Sequence, residues 1–265
     1  MVVANPHCRF EEEMHVKIEN AVALVTGANR GLGRQFTEQL LGRGAARVYA
    51  GARDPGKLAP LVEAHGERIV PVRLDVTQPE TIVAAVKQAG DLTFLINNAG
   101  VLEARGLIES GSIEPFQREM DVNVYGLANM SLACAPVIAG NGGGAILNML
   151  SVASLANFPA FGTYSASKAA AMSLTHCMRY ELKDKGIEVF GVYAGLIDTD
   201  MIDFVEGEKS DPKVIVAAAL KGVENGVSDI DTDERCTYVR DMLREDPAGL
   251  EAALWQRAAQ FKTVS

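Results

Sequence analysis

The feature that most constrains this chain is a repeated alternation of short, wholly apolar runs with segments of helical periodicity. AVALVT (21–26) leads into LGRQFTEQLLGRGA, RVYAGA (47–52) into KLAPLVEAHG, RIVPVRL (68–74) into PETIVAAVKQAG, and LTFLI (92–96) precedes a long helical segment from Glu114 to about Ala139. AILNML then precedes a helix from Thr163 to Lys185, and IEVFGVYA (187–194) follows it. A short apolar run without polar alternation reads as a strand buried on both faces, which requires helices on both sides of the sheet. The alternation therefore predicts an α/β fold, a doubly wound parallel sheet. Ligands of such sheets bind outside the carboxyl ends of the strands, so the turns after strands one, two, four, five and six are where function is expected.

No Pro/Gly/Ser-rich linker, low-complexity segment or internal repeat divides the 265 residues, so a single domain over 18–265 is expected. Residues 1–17 read as an acidic N-terminal tail, and residues 232–265 as helices that carry Trp255. The net charge of -9, without a basic stripe, argues against nucleic acid as a partner. The N-terminus lacks the pattern of a secretory signal, and no apolar stretch reads as a membrane span, so no membrane partner and a cytoplasmic location are expected. Cys8, Cys134, Cys177 and Cys236 form no CxxC, and the four histidines form no HExxH. Reduced thiols and no metal site follow from that spacing.

The turn after strand one reads TGANRGLG (26–33). Gly27, Gly31 and Gly33 leave room for the backbone to approach a pyrophosphate, whose charge the following helix N-terminus stabilises. For this turn alone, a tight βα connection that merely needs glycine is the competing reading. The second signal lies in SVASLANFPAFGTYSASK (151–168), where Tyr164 and Lys168 stand four apart on a helix. Side chains at that spacing share one face, about 5–6 Å apart. A phenol of ordinary pKa about 10 can be lowered by about 1–3 units beside a cation, which would suit it to proton transfer. Taken singly, Ser151 reads as a turn or capping serine, Tyr164 as a core tyrosine and Lys168 as a solvated lysine.

TGANRGLG, NNAG (97–100), Ser151 thirteen residues before Tyr164, and Tyr164-x-x-x-Lys168 occur together in the order and at the intervals of the short-chain dehydrogenase/reductase family. Over about residues 20–200 the chain resembles that family. The resemblance implies a Rossmann-like fold and a nicotinamide cofactor. It assigns Ser151 to the substrate oxygen, Tyr164 to proton transfer, Lys168 to tuning it, and Asn123, in MDVNVYG, to a water leading to the lysine. It implies cofactor contacts from Gly27, Asn29, Arg30, Gly31 and Leu32 in the turn, from Asp75 and Val76 after strand three, and from Asn97, Ala99 and Gly100 after strand four. Tyr164, Lys168, Gly195, Ile197 and Thr199 complete that set. The short tyrosine–lysine spacing resembles the carbonyl/alcohol branch.

Two departures refine these expectations. In VYAGARDP the family's NAD branch has an acid where Ala52 stands, and Arg53 follows it. With Arg30 this suits a 2′-phosphate, so NADP(H) is expected, against a rival reading in which Asp54 binds the ribose. In VYAGLIDTD, Ala194 stands where the family usually has proline, which puts the stiffness of that loop in question. Leu155, Phe158, Phe161, Leu196, Ile197, Met201, Ile202 and Phe204 read either as an apolar substrate pocket, with 196–211 as its loop, or as ordinary packing. The expected function is NADP(H)-dependent interconversion of a carbonyl and an alcohol on a hydrophobic small molecule. A non-catalytic NADP(H)-binding redox sensor and a ketoacyl-carrier reductase are the alternatives. The helices at 114–139 and 163–185 resemble those that pair subunits in the family, and the second is dense in alanine (Ala166, Ala169, Ala170, Ala171), so a homodimer or homotetramer is expected, against a reading in which these faces only cover the sheet.

Overall fold

The computed structural model describes residues 16–103 and 106–261. Its first half runs β1 (Val22–Thr26), α1 (Gly31–Gly42), β2 (Arg47–Ala52), α2 (Ala59–His65), β3 (Ile69–Arg73), α3 (Pro79–Gln88) and β4 (Phe94–Asn97). The second half runs α4 (Glu114–Met120), α5 (Leu127–Gly140), β5 (Gly144–Met149), α6 (Gly162–Lys183), β6 (Ile187–Tyr193), α7 (Pro212–Glu224), β7 (Asp229–Asp231), α8 (Glu234–Glu245) and α9 (Pro247–Phe261). The seven strands form one sheet in the order β3-β2-β1-β4-β5-β6-β7. Every pairing is parallel.

β1 shows why the apolar runs become interior strands. Ala23 and Val25 pack with Phe36 and Leu40 of α1 on one face, while Leu24 packs with Met130 and Ile138 of α5 on the other. A period-two strand with an apolar residue at every position needs both layers. Because β1 lies between β2 and β4, the chain leaves β1 in opposite directions on its two sides, and a crevice opens above the carboxyl ends of β1 and β4.

Three differences from the sequence expectations have physical causes. α7 and β7 were not foreseen, and β7 reads Asp-Ile-Asp without an apolar run. It is held as an edge by Arg179 on Asp229 at 2.6 Å and Arg240 on Asp231 at 2.7 Å. The segment Glu114–Gly140 is, by length and hydropathy, apolar enough to cross a membrane, contrary to the expectation of no such stretch. Its apolarity follows in part from Met130, Cys134 and Ile138, which are fully buried against the sheet. The expected tail boundary at 17 also shifts, since Val16 packs against the core beside the buried Ile18. Residues 1–15 of that tail, with Cys8, lie outside the described residues.

Candidate active site

The turn between β1 and α1 is built by its glycines. Gly27 and Gly31 have φ of 68° and 51°, a region open to glycine at little cost. A Cβ on Gly33 would stand 2.1 Å from the Gly27 carbonyl oxygen, so only glycine lets the helix begin this close to the strand. Thr26 ties the turn to the next loop: its hydroxyl accepts the Asn98 and Ala99 N–H groups, both at 2.9 Å. The Asn98 amide donates back to the Thr26 carbonyl at 2.8 Å.

Above these turns lies a cavity of about 460 Å³. Gly27, Asn29, Arg30, Gly31 and Leu32 form its floor at β1, and Ala52, Arg53, Asp75 and Val76 line the β2–β3 side. Ala99 and Gly100 continue the wall to Ser151, Tyr164 and Lys168, and Gly195, Ile197 and Thr199 close it from β6. These positions of the expected site meet in one space. Thr199 comes down onto the glycine turn, its methyl 3.4 Å from where a Cβ on Gly31 would be. Such a groove of glycine backbone fits a dinucleotide pyrophosphate.

Two expected residues do not line the cavity. Asn97 is the last residue of β4 and is buried, with its amide donating to Ser131 at 3.1 Å and Asn148 at 2.9 Å. Strand alternation turns its side chain away, and Asn98 supplies the wall instead. Asn123 lies in a π-helical turn, Asp121–Gly126, between α4 and α5, where the sequence suggested one continuous helix. Its carbonyl accepts the Val101 N–H at 2.9 Å, and its amide donates to the Val101 carbonyl and to Ser167 at 3.0 Å. Asn123 therefore clamps the wall from behind. A Cβ on Gly100 would lie 3.3 Å from Asn123 Oδ1 and 3.7 Å from Lys168 Nζ, so both polar atoms border that glycine.

Ser151 both caps a turn and lines the cavity. As N-cap of the short turn Val152–Ser154 it accepts the Ala153 N–H at 3.1 Å, which fixes its rotamer. The same hydroxyl lines the cavity with the Tyr164 phenol and exerts a lowering pull on it. Burial pushes that phenol up to about 12, against the pull of Ser151, and the carboxyl of Glu119 adds to the rise. Burial brings Lys168 down to about 8. The expected lowering of Tyr164 by its lysine is thus reversed in the protein alone, because desolvation of the phenolate dominates. Glu119 went unforeseen, although a glutamate four residues before Asn123, on the same helix face, was a readable signal. It is fully buried, burial raises its carboxyl, and it accepts the Glu103 N–H at 2.9 Å.

The loop after β6 is not slackened by Ala194. The Gly195 N–H donates to Asp233 at 2.7 Å, and Asp198 and Ser210 exchange backbone bonds with Ser210 and Leu196 at 2.9 and 2.8 Å. These bonds restrain what a proline would restrain through φ. Of the apolar candidates, Phe158, Phe161, Leu196, Ile197, Met201 and Ile202 line the cavity. Leu155 packs into the interior, and Phe204 is exposed, edge-on to Phe161 at 6.3 Å between centroids. The sequence reading missed Val205, Leu254, Ala258, Arg235 and Arg257, which also line it.

The family model described as short chain dehydrogenase matches residues 21–209. The chain belongs to the short-chain dehydrogenase family. This dehydrogenase is 34% identical over 226 residues to the 3-alpha-(or 20-beta)-hydroxysteroid dehydrogenase of Mycobacterium tuberculosis, covering 83% of this chain and 86% of that protein. A cyclohexanol dehydrogenase of Acinetobacter is 33% identical over 206 residues, 75% of this chain and 82% of that one. A crystal structure of a short chain dehydrogenase from Burkholderia cenocepacia in complex with NADP is similar at TM-score 0.85 and 39% identity, over 90% of this chain and 98% of that one. Family membership and this site make the protein an NAD(P)(H)-dependent oxidoreductase.

Proposed function

We propose that this enzyme interconverts a ketone or aldehyde and the corresponding alcohol, with NADP(H), on a substrate with an apolar body. The observation that carries the proposal is that Ser151, Tyr164 and Lys168 line one cavity together with Phe158, Phe161, Leu196 and Met201. When bound, the nicotinamide supplies the hydride for reduction and takes one in oxidation. Ser151, its rotamer set by the cap, orients the substrate oxygen. Tyr164, protonated at neutral pH, gives that oxygen its proton in reduction, and Lys168 offsets the charge left on the phenolate. Asn123 holds the Val101 segment and α6 in place around them.

NADP(H) is favoured by what the residues after β2 are doing. Asp54 accepts the Gly56 N–H at 3.0 Å and caps a turn outside the cavity, so it is engaged away from a ribose. Arg53 lines the cavity and has no ion pair among the described residues. Arg30 crosses to Asp200 at 2.5 Å on the exposed rim. For assembly, we propose a homo-oligomer through the outer faces of α5 and α6, where Leu132 and Tyr180 are exposed at 74% and 88%.

The test is consumption of NADPH and NADH over a panel of ketones and aldehydes. NADPH-dependent reduction of bulky apolar carbonyls is expected, with Tyr164→Phe losing about 10²–10⁴-fold in turnover while NADPH still binds. A Tyr164→Phe enzyme as active as the native one would overturn the assignment.

A further inference from the structure

The cavity is also lined by two guanidinium groups that hydride transfer does not require. Arg235, at the start of α8, lays its stem over the loop after β6, with its Cδ 3.1 Å from where a Cβ on Gly195 would stand. Arg257 comes from α9, where Leu254, Arg257 and Ala258 all line the cavity. Their i, i+3, i+4 spacing makes one helix face of them, so the arginine projects from an apolar strip.

Neither arginine forms an ion pair among the described residues, whereas Arg43, Arg179 and Arg240, at the body of the protein, each hold a carboxylate. The acid beside Arg235 is committed elsewhere, since Asp233 accepts the N–H groups of Gly195 at 2.7 Å and Cys236 at 3.0 Å. Glu208, the other carboxylate that acts on Arg235, stands exposed on the loop. Burial and the repulsion of Arg257 together hold Arg235 below its ordinary range. Arg235 is half-buried with the like charge of Arg257 acting on it, an arrangement that an anion between the two would stabilise.

That anion is not the cofactor's adenosine phosphate. Arg53 follows β2 and Gly195 follows β6, with β1, β4 and β5 between them. Four strand spacings separate the two sites by about 19 Å.

We infer that the substrate carries an oxyanion, a carboxylate or phosphate, on the far side of an apolar body from its carbonyl, and that Arg235 and Arg257 hold it. The inference rests on the proposed carbonyl chemistry for the identity of the ligand as substrate. Planar guanidinium forks suit either oxyanion, and the apolar residues that line the cavity with them suit an alkyl or ring spacer.

The first experiment compares reduction of long-chain oxo acids with that of their methyl esters. The acid should exceed the ester by about 10- to 100-fold in kcat/KM. Arg257→Gln should collapse the ratio towards one, and Arg257→Lys should restore part of it. A native enzyme that turns over ester and acid equally overturns the inference.

The second experiment needs no turnover. Calorimetric binding of decanoate, decyl phosphate and decanol to the native protein and to Arg257→Gln should show tighter binding of whichever oxyanion the pair prefers, lost in the variant. Equal binding of all three compounds overturns the inference. Oxyanion binding without NADPH consumption by any carbonyl would leave the arginine site standing and sink the proposed reaction, whereas turnover of neutral ketones alone would do the reverse.

Discussion

Lys168 Nζ stands 5.7 Å from the centroid of the Tyr164 ring and gives its hydrogen bond to the Met149 carbonyl at 2.8 Å. The ammonium is therefore held beside the phenol ring from an anchor at the end of β5. Both groups are held in their less charged direction, the phenol at about 12 and the lysine at about 8. The site is consequently poised as a proton donor at neutral pH, and it is the lysine whose charge changes within the working range.

The first prediction is a pH profile. For carbonyl reduction the phenol must be protonated and the lysine charged, so kcat/KM should be flat below about pH 8 and fall above it as Lys168 deprotonates. Lys168→Arg, which keeps its charge, should carry whatever activity it retains on a plateau that extends higher. A native profile that stayed level to about pH 10 would contradict the role given to Lys168.

Stability should respond in the opposite sense to activity. Between about 8 and 10.5 the unfolded chain keeps the Lys168 proton that the folded protein has released, so unfolding free energy rises with pH in that window. Below it, the buried ammonium costs stability. Lys168→Met should therefore abolish turnover, remove that rise, and stabilise the protein at pH 7 by about 1–2 kcal/mol, a rise in Tm of about 2–4 °C. The gain is reduced because the Met149 carbonyl loses its donor. Calorimetry at about pH 7 and about pH 9.5, below and above the lysine's transition at about 8, checks it, and a fall in Tm would refute it.

The sheet was legible because each interior strand must be apolar on both faces, and α1, α6 and the glycine turn because their spacing has few other uses. What escaped was written in polar residues. β7 carries two aspartates that find arginines from α6 and α8, a relationship that exists only after folding. Asn97 and Asn98 are indistinguishable as letters, and only the alternation of β4 decides which faces the cavity. Arg235 and Arg257 belong to helices that carry no motif, and their convergence on Tyr164's cavity depends on how α8 and α9 pack. Glu119 was readable in principle as a charge on the buried face of an apolar helix.

Cofactor choice should reside largely in Arg53. It lines the cavity beside Ala52 without a counterion among the described residues, whereas Arg30 already faces Asp200. A charge-assisted bond to the 2′-phosphate contributes about 1.5–3 kcal/mol, so Arg53→Ala should lower the NADPH-to-NADH ratio of kcat/KM by about 10- to 100-fold. Steady-state kinetics with both cofactors would expose an unchanged ratio, which would leave the preference unexplained by this residue.

Gly33 and Gly42 make a matched pair on α1. A Cβ at Gly33 meets the Gly27 carbonyl at 2.1 Å, while one at Gly42 meets nothing within 4 Å. Gly33→Ala should displace the turn, cost more than about 2 kcal/mol, and weaken NADPH binding. Gly42→Ala should be neutral or stabilise by up to about 1 kcal/mol. Denaturant unfolding and NADPH titration of the two variants separate the outcomes, and equal behaviour would show that the turn tolerates the shift.

Assembly can be tested on the faces of α5 and α6 away from the sheet. Leu132 on α5, with Tyr125 in the turn before it, and Leu174 and Tyr180 on α6 are exposed apolar groups on neighbouring helices that share one core layer. Exposed apolar residues taken singly need no explanation, but a contiguous patch across two helices is the kind of surface that a second copy covers. In a symmetric dimer each substitution appears twice across the axis, so one charge is amplified. Leu132→Glu should convert the native oligomer to smaller species at micromolar concentration, with little change in the secondary structure of the subunit, as read by light scattering and circular dichroism. A native protein that is monomeric at the same concentration would leave this face without the proposed role, and an unchanged mass for Leu132→Glu would move the interface elsewhere.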